Sequence, residues 1–347
     1  MAARQGFKIG NNIVKAGTRQ TVDIPVSILS DHTPVSMSVH VIHGRRPGPT
    51  LFVSAAIHGD EIIGAEIVRR LLKTARIKSL KGTLLAIPIV NAFGFMNHSR
   101  YLPDRRDLNR SFPGSATGSL AGRLAHIFLS EIVSRSDVGI DLHSAAIHRV
   151  NLPQIRVSPS SSKAKELAKV FGAPLTLTST IRPGSLREAA QKKDVDVLLY
   201  EAGEGLRFDE FAVRAGVSGV LRVMRHLGML PPKKSKKKKI DSIFSTSSSW
   251  VRAEAGGLLR THKNIGEEIV PGDLLGVISD PFGEIETEIK SERAGLIMGR
   301  TNLPIINEGD ALFHIANIAK DIDAEATIDE LTKHLEEDAL LDEDEII

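Results

Sequence analysis

Between residues 50 and 230 the apolar positions alternate between two kinds of pattern. Short, almost unbroken apolar runs at 51–57, 83–90, 137–142 and 195–200 predict strands buried on both faces. Between them, Ile62, Ala65, Ile67, Val68, Leu71 and Leu72 recur at helical spacing, and further amphipathic helices are predicted over 120–134, 162–171, 185–193 and 208–227. Strands separated by helices predict an open α/β sheet with helices on both faces. Upstream, 22–29 and 35–42 alternate as half-buried strands. They end at the turn Arg45-Arg46-Pro47-Gly48-Pro49, which makes residues 1–46 a β extension of an α/β domain spanning 1–232.

The pattern changes after Pro231-Pro232. Residues 233–249 are rich in lysine and serine and read as a linker. Residues 250–318 are short strands punctuated by glycines, predicting a small all-β domain. Residues 319–347 form an acidic tail in which 328–341 is amphipathic and predicted helical, with the last residues expected to be disordered.

Composition adds exclusions rather than a function. The chain has 347 residues, 41% hydrophobic and 25% charged, which suits ordinary globular domains. The net charge of +3 conceals a split: after residue 319 twelve acids face two lysines, net −10, so the first 319 residues carry +13. No apolar stretch is long enough for a transmembrane helix, and the first residues lack the apolar segment of a secretory leader, so a cytoplasmic protein without membrane contact is expected. With no cysteine, thiol chemistry is excluded and any metal site must use histidine and carboxylate.

In open α/β sheets ligands sit beyond the carboxyl ends of strands. Three predicted strands end there in reactive residues: His58-Gly59-Asp60-Glu61, Asp141-Leu142-His143, and Glu201. Two histidines and a carboxylate are a ligand set for catalytic zinc that leaves one position for water. His58 and Glu61, three apart at a strand-to-helix turn, point to one ion, with His143 arriving from a neighbouring strand and Asp141 a candidate to brace it. Glu201 is placed as the proton shuttle. The loop 97–110 carries Arg100, Arg105, Arg106 and Arg110, a density that suggests carboxylate capture. Arg149 and Arg156, after the His143 strand, are further candidates for the pocket wall.

These residues, taken in order, carry a resemblance. His58-Gly59-Asp60-Glu61, Arg100-Tyr101, Asp107-Leu108-Asn109-Arg110-Ser111-Phe112-Pro113-Gly114, Asp141-Leu142-His143-Ser144 and Tyr200-Glu201-Ala202-Gly203 resemble the succinylglutamate desuccinylase/aspartoacylase family, a branch of the zinc carboxypeptidase superfamily. The resemblance covers residues 35–232 and, more loosely, the β domain. It implies a zinc-carboxypeptidase-like mixed sheet flanked by helices, and one zinc ion (Zn2+) held by His58, Glu61 and His143. It also implies Glu201 as general base and then acid, Arg100 polarising the scissile carbonyl, and Asn109 with Arg110 gripping the carboxylate of the amino-acid part. A homodimer is implied as well. The interval from Arg100 to Asn109 is two residues longer than in aspartoacylase, which brings Arg105 and Arg106 in as substrate-binding candidates.

Two features point elsewhere. Residues 284–297 resemble a lipoyl or biotinyl carrier hairpin, and the β domain is accordingly expected to be barrel-sandwich-like. Lys290 is displaced by one residue from the modified position, so the domain is expected to be unmodified. The lysine run 233–239 has no interleaved aromatics and reads as solvated linker, not as a nucleic-acid site. The sequence thus predicts a zinc-dependent hydrolase, a deacylase of a small N-acyl amino acid. A zinc carboxypeptidase acting on a peptide C-terminus is the alternative enzyme. A carrier or regulatory binding protein with a vestigial site is the non-enzyme alternative, against which Glu201 stands.

Overall fold

The computed structural model describes residues 4–232, 241–319 and 322–337; the lysine run of the expected linker and the end of the acidic tail lie outside the described residues. At the centre, strands Thr83–Ile87, Thr50–Ala55, Val138–His143 and Asp196–Glu204 lie side by side and parallel. Their side chains are almost all buried because helices cover both faces. Helices Ile63–Lys73, Ser162–Phe171 and Glu210–His226 pack on one face through Ile67, Leu71, Leu167, Phe171, Val217 and Val220. Helices Leu120–Glu131 and Leu186–Gln191 cover the other through Leu124, Phe128, Leu186 and Ala190. The helices begin where the sequence offers a cap: Ser119, Ser161, Ser185 and Asp209 each accept a backbone N–H of the first turn.

The sheet extends on both sides, mostly by antiparallel pairing, to thirteen strands among the described residues. On one side Pro34–His43 pairs with Thr83–Ile87, and Thr18–Ile28 forms the edge. On the other, Arg149–Val157 runs antiparallel to Asp196–Glu204 and is followed by Gly295–Thr301, Ala311–Ala316 and Ser248–Arg252. The C-terminal strands are therefore hydrogen-bonded onto the sheet that carries His143 and Glu201. A second sheet, Glu286–Lys290, Leu274–Ser279, Gly257–Thr261 and Ile305–Ile306, closes a separate small core around Leu275, Ile289 and Phe313. Lys290 ends its strand paired with Glu288 at 2.6 Å. Helix Ala324–Glu336 lays Leu335 against the central core, while Ala324 and Ile328 pack with Leu152 and Leu296.

The apolar pattern does not predict two of these strands. Arg149–Val157 contains Pro153, which ordinarily argues against an interior strand, and it carries Asn151, Gln154 and Arg156 where apolar residues would have marked it. Leu175–Thr178 is only four residues long. Inside the stretch read as linker, Ile243–Ser245 pairs with Leu175–Thr178 and Ser248–Arg252 forms the outer edge.

Gly139 allows a tight crossing in the core. A Cβ there would sit 2.1 Å from the ring of Phe52, which is fully buried and packed edge-on against Phe128. Gly139→Ala is expected to cost about 2–3 kcal/mol of stability through overpacking, measured by urea denaturation. A loss below about 0.5 kcal/mol would show that the ring has room to move.

Candidate metal centre and active site

The parallel strands deliver the reactive residues to one edge. After Thr50–Ala55 the chain turns sharply at Ala56, which takes a left-handed φ of 52° that a non-glycine residue adopts only under constraint. The constraint is visible: Asn91 N–H donates to the Ala56 carbonyl at 3.0 Å, and Gly59 N–H donates to that of Ser99 at 3.0 Å. Gly59 passes so close to Gly94 that a Cβ would lie 1.9 Å from its backbone, so only glycine fits beside His58.

His58, Glu61 and His143 converge into a candidate metal site, with one ligand atom from each lying within 4.8 Å of the others. Glu61 stands between the rings, Oε1 2.6 Å from His58 Nδ1 and Oε2 2.6 Å from His143 Nδ1. The opposite ring nitrogens are also held: His143 Nε2 lies 2.7 Å from Asp141 and His58 Nε2 lies 3.1 Å from Asp107. Asp141 is fixed in turn by the Ser54 hydroxyl at 2.7 Å. A carboxylate behind each ring places the N–H on Nε2 and turns the Nδ1 lone pair toward Glu61, the arrangement in which histidine binds a metal ion. In that tautomer two lone pairs would face a carboxylate at 2.6 Å, a repulsion that a cation between them removes. The donor set therefore fits a metal ion.

With no cation between them, the same groups hold one another by charge, a proton on each ring standing where a metal ion would. Burial alone would raise the pKa of Glu61, but His58 and His143 hold it well below the ordinary range. Burial alone would lower His143, yet Asp141 and Glu61 lift it well above its usual value. Asp107 is likewise held low, against its burial, by His58 and Arg100.

Arg100 Nη1 donates to Glu61 at 3.1 Å and Nη2 to Asp107 at 3.0 Å, so this arginine sits at the centre. Asn109 and Arg110 line the same cavity, which has a volume of about 310 Å³ and extends to Arg149, Arg156 and Glu201. Asn109 Oδ1 accepts the Leu186 N–H at 2.9 Å, tying the arginine loop to the start of helix Leu186–Gln191. Glu201 accepts a hydrogen bond from Asn151 Nδ2 at 3.1 Å and has Arg156 Nε 3.8 Å away. Arg105 and Arg106 are not brought to the cavity: both are exposed, and Arg106 faces Asp104 at 3.9 Å.

The structure adds residues that the sequence did not single out. Arg187, Trp250 and Arg300 line the cavity, and Asp107 braces His58. Trp250, from the C-terminal part, stacks on His314 with ring centres 4.3 Å apart, and the Arg149 guanidinium lies over its ring at 5.5 Å. Arg187 is half-buried, and burial together with neighbouring Arg156 presses its pKa down to about 10.

Residues 47–227, just over half of the chain, match the model of the Succinylglutamate desuccinylase/Aspartoacylase catalytic domain, and the chain belongs to that family. It is 26% identical over 290 residues to the N-alpha-acetyl-L-2,4-diaminobutyric acid deacetylase of Halomonas elongata, a match spanning 80% of this chain and 85% of the relative. Among solved structures it is similar to a succinylglutamate desuccinylase/aspartoacylase from Rhodobacter sphaeroides. That match has a TM-score of 0.78 at 23% identity and covers 87% of this chain and 96% of the other. The product-bound Ectoine utilization protein EutE (DoeB) from Ruegeria pomeroyi aligns with a TM-score of 0.77 at 24% identity, over 86% and 94% of the two chains. At these identities the solved structures establish the shared fold. Among the described residues no helix is long and apolar enough to cross a membrane.

His314 gives this region a pH signature. Burial, reinforced by Arg156, pushes its pKa down to about 3, from about 6.5 in an unfolded chain. The unfolded state then binds the extra proton between those values, so stability must fall as the pH drops through that window. This group is expected to remove about 2 kcal/mol between pH 7 and pH 5. In His314→Phe, which keeps the stack on Trp250, denaturation curves at the two pH values should lack that part of the loss; an undiminished loss would refute the assignment.

Proposed function

We propose that the chain is a zinc-dependent deacylase that hydrolyses the amide bond of an N-acyl amino acid or a similar small amide bearing a carboxylate. The observation that carries this reading is the braced His58–Glu61–His143 set, with Glu201 and a cluster of arginines around one small cavity. Two imidazole nitrogens and one carboxylate, without sulfur, suit zinc with a position left open. When bound there, zinc supplies a Lewis acid and lowers the pKa of water.

The protein's own residues do the rest. Asn109 and Arg110 hold the substrate carboxylate, since a guanidinium and an amide offer paired donors to it. Arg100 donates toward the scissile carbonyl oxygen as charge develops there. Glu201 accepts a proton from the attacking water and returns it to the departing amine, with Asn151 fixing the orientation of its carboxylate. Asp107 and Asp141 keep the two imidazoles in one tautomer and one orientation. A cavity of about 310 Å³ is of a size that suits a small substrate, and the deacetylase from Halomonas elongata acts on an N-acetyl amino acid.

Glu201→Gln should retain bound zinc, measured by elemental analysis, while kcat on an N-acetyl amino acid falls about 100- to 10,000-fold. Turnover within tenfold of the parent would refute the proton-shuttle role. Dialysis against a chelator should abolish hydrolysis and lower Tm, and added zinc should restore both. Release of C-terminal amino acids from peptides, with no action on N-acyl amino acids, would instead establish the carboxypeptidase alternative.

A further inference from the structure

We infer that a second cavity, at the opposite edge of the sheet from the metal site, binds a small molecule bearing two phosphate groups. The site is separate from the proposed active centre and does not depend on the deacylase reading.

Chain order places it. The Gly44 N–H donates to the Gly82 carbonyl and the Thr83 N–H to that of Pro49, so strands Thr50–Ala55 and Thr83–Ile87 both start beside this cavity. They run in parallel toward the edge that carries His58, and six residues at about 3.3 Å each put roughly 15–20 Å between the two sites. The two cavities share no lining residue. This one has a volume of about 530 Å³, larger than the 310 Å³ at the metal site and within the range of small-molecule pockets.

Its wall is built of positive charge. Arg19, Arg45, Arg46 and Lys78 line it, with Ile42 and Leu80 as apolar surface, and no lining residue is an acid. Among the described residues none of these four cations is in an ion pair. Arg4, next to them, donates through Nη1 to the carbonyls of Gly44 and Gly82 at 2.8 Å each, and so adds a fifth charge held by carbonyls instead of an acid. Cations gathered on one wall repel one another, and a multiply charged anion turns that repulsion into attraction. The four lining cations come from three segments: the start of strand Thr18–Ile28, the turn after Pro34–His43, and the short helix Ala75–Ser79. Donors converging from three directions suit a tetrahedral phosphate, with its three acceptor oxygens and about two negative charges, better than a planar carboxylate. Four cations balance two such groups.

The frame around them is preset. The Gly17 N–H donates to the His43 carbonyl at 2.7 Å, and the Gly82 N–H to the Arg46 carbonyl at 3.0 Å. Gly17 has a φ of 81°, and a Cβ there would stand 2.6 Å from Arg45 Cγ, so this glycine makes the seat in which the Arg45 side chain lies. Pro47 and Pro49 stiffen the chain just after Arg46. His43 also lines the cavity, but its Nδ1 is engaged by the Thr83 hydroxyl and its Nε2 by the Gln5 carbonyl, at 2.9 Å each. The cations are left to make the contacts.

Fructose 1,6-bisphosphate is the probe, titrated calorimetrically into the zinc-loaded full chain in about 0.15 M sodium chloride, where distant surface charges are screened. One site per chain with a Kd of about 100 µM or lower is expected, and weaker binding overturns the proposal whether or not phosphatidylglycerol vesicles capture the chain. The double variant Arg45→Ser, Arg46→Ser should bind about tenfold or more weakly. Arg45→Lys, Arg46→Lys should fall between, since lysine keeps the charge without the paired donors. Both double variants should keep the parent's circular dichroism and zinc content, because the substituted side chains are exposed and remote from the metal centre. Arg110→Ala, which alters the metal-site cavity, should leave the Kd within about twofold of the parent's. Binding lost in Arg110→Ala, or undiminished in Arg45→Ser, Arg46→Ser, puts the anion elsewhere and overturns the site. Propane-1,2,3-tricarboxylate bound as tightly through the same two arginines overturns the phosphate assignment.

Discussion

Glu61 bridges two imidazoles that reach it from different strands, and most of the site's geometry can be traced outward from that buried carboxylate. An acid nearly removed from water must be compensated where it stands, because losing one partner of a buried charge is strongly destabilising. Here the compensation comes from His58, His143 and Arg100. Each histidine needs its far nitrogen satisfied, which recruits Asp141 from the His143 strand and Asp107 from the arginine loop. Asp107 fastens Arg100, and its own Oδ1 accepts the Asn109 N–H at 2.8 Å. The position of the loop is thus a consequence of which nitrogen of His58 faces Glu61.

The fold makes that arrangement possible through register. Ser54 pairs with Asp141 and Ala55 with Leu142, so the chain leaving the first strand emerges beside His143. Glu201 pairs with His143 on the other side. Asp141 and His143 share a face because side chains alternate along a strand, and this shared facing is what lets the carboxylate reach the ring behind it. One parallel ladder of three strands therefore sets the spacing of the proposed proton shuttle, one imidazole and the turn that carries the other.

Much of this was legible in the chain itself. The apolar runs marked the four parallel strands because burial on both faces leaves no room for polar alternation, and reactive residues stood out where those runs stopped. Arg149–Val157 was illegible for the converse reason: it holds Asn151 and Arg156, which line the cavity, and a buried Gln154, where apolar residues would have marked a strand. Arg187 was read as part of an amphipathic helix, which it is; only the neighbouring strand reveals that its exposed-looking face is half-buried beside Arg156. Trp250 carried no local signal at all, since its place in the wall depends on pairings between segments far apart in sequence. Arg105 and Arg106 show the opposite error of reading charge density alone, because the loop turns them to solvent while Asp104 anchors it through the Ala121 N–H.

The pairing of Gly295–Thr301 with Arg149–Val157 bears on how molecules enter and leave. Arg300 and Thr301 are in register with Val150 and Arg149, and the Asn302 N–H donates to the His148 carbonyl at 2.7 Å. The wall that carries Trp250 and Arg300 is for that reason part of the same hydrogen-bonded ladder as the strand bearing Glu201. It cannot swing aside like a hinged door without tearing backbone bonds. The loop that ends at Arg110 also lines the cavity, but it lies outside that ladder. Because Arg149 and Arg300 belong to that ladder, the positive charge they bring to the cavity is built into the sheet and needs no movement of the chain to be in place.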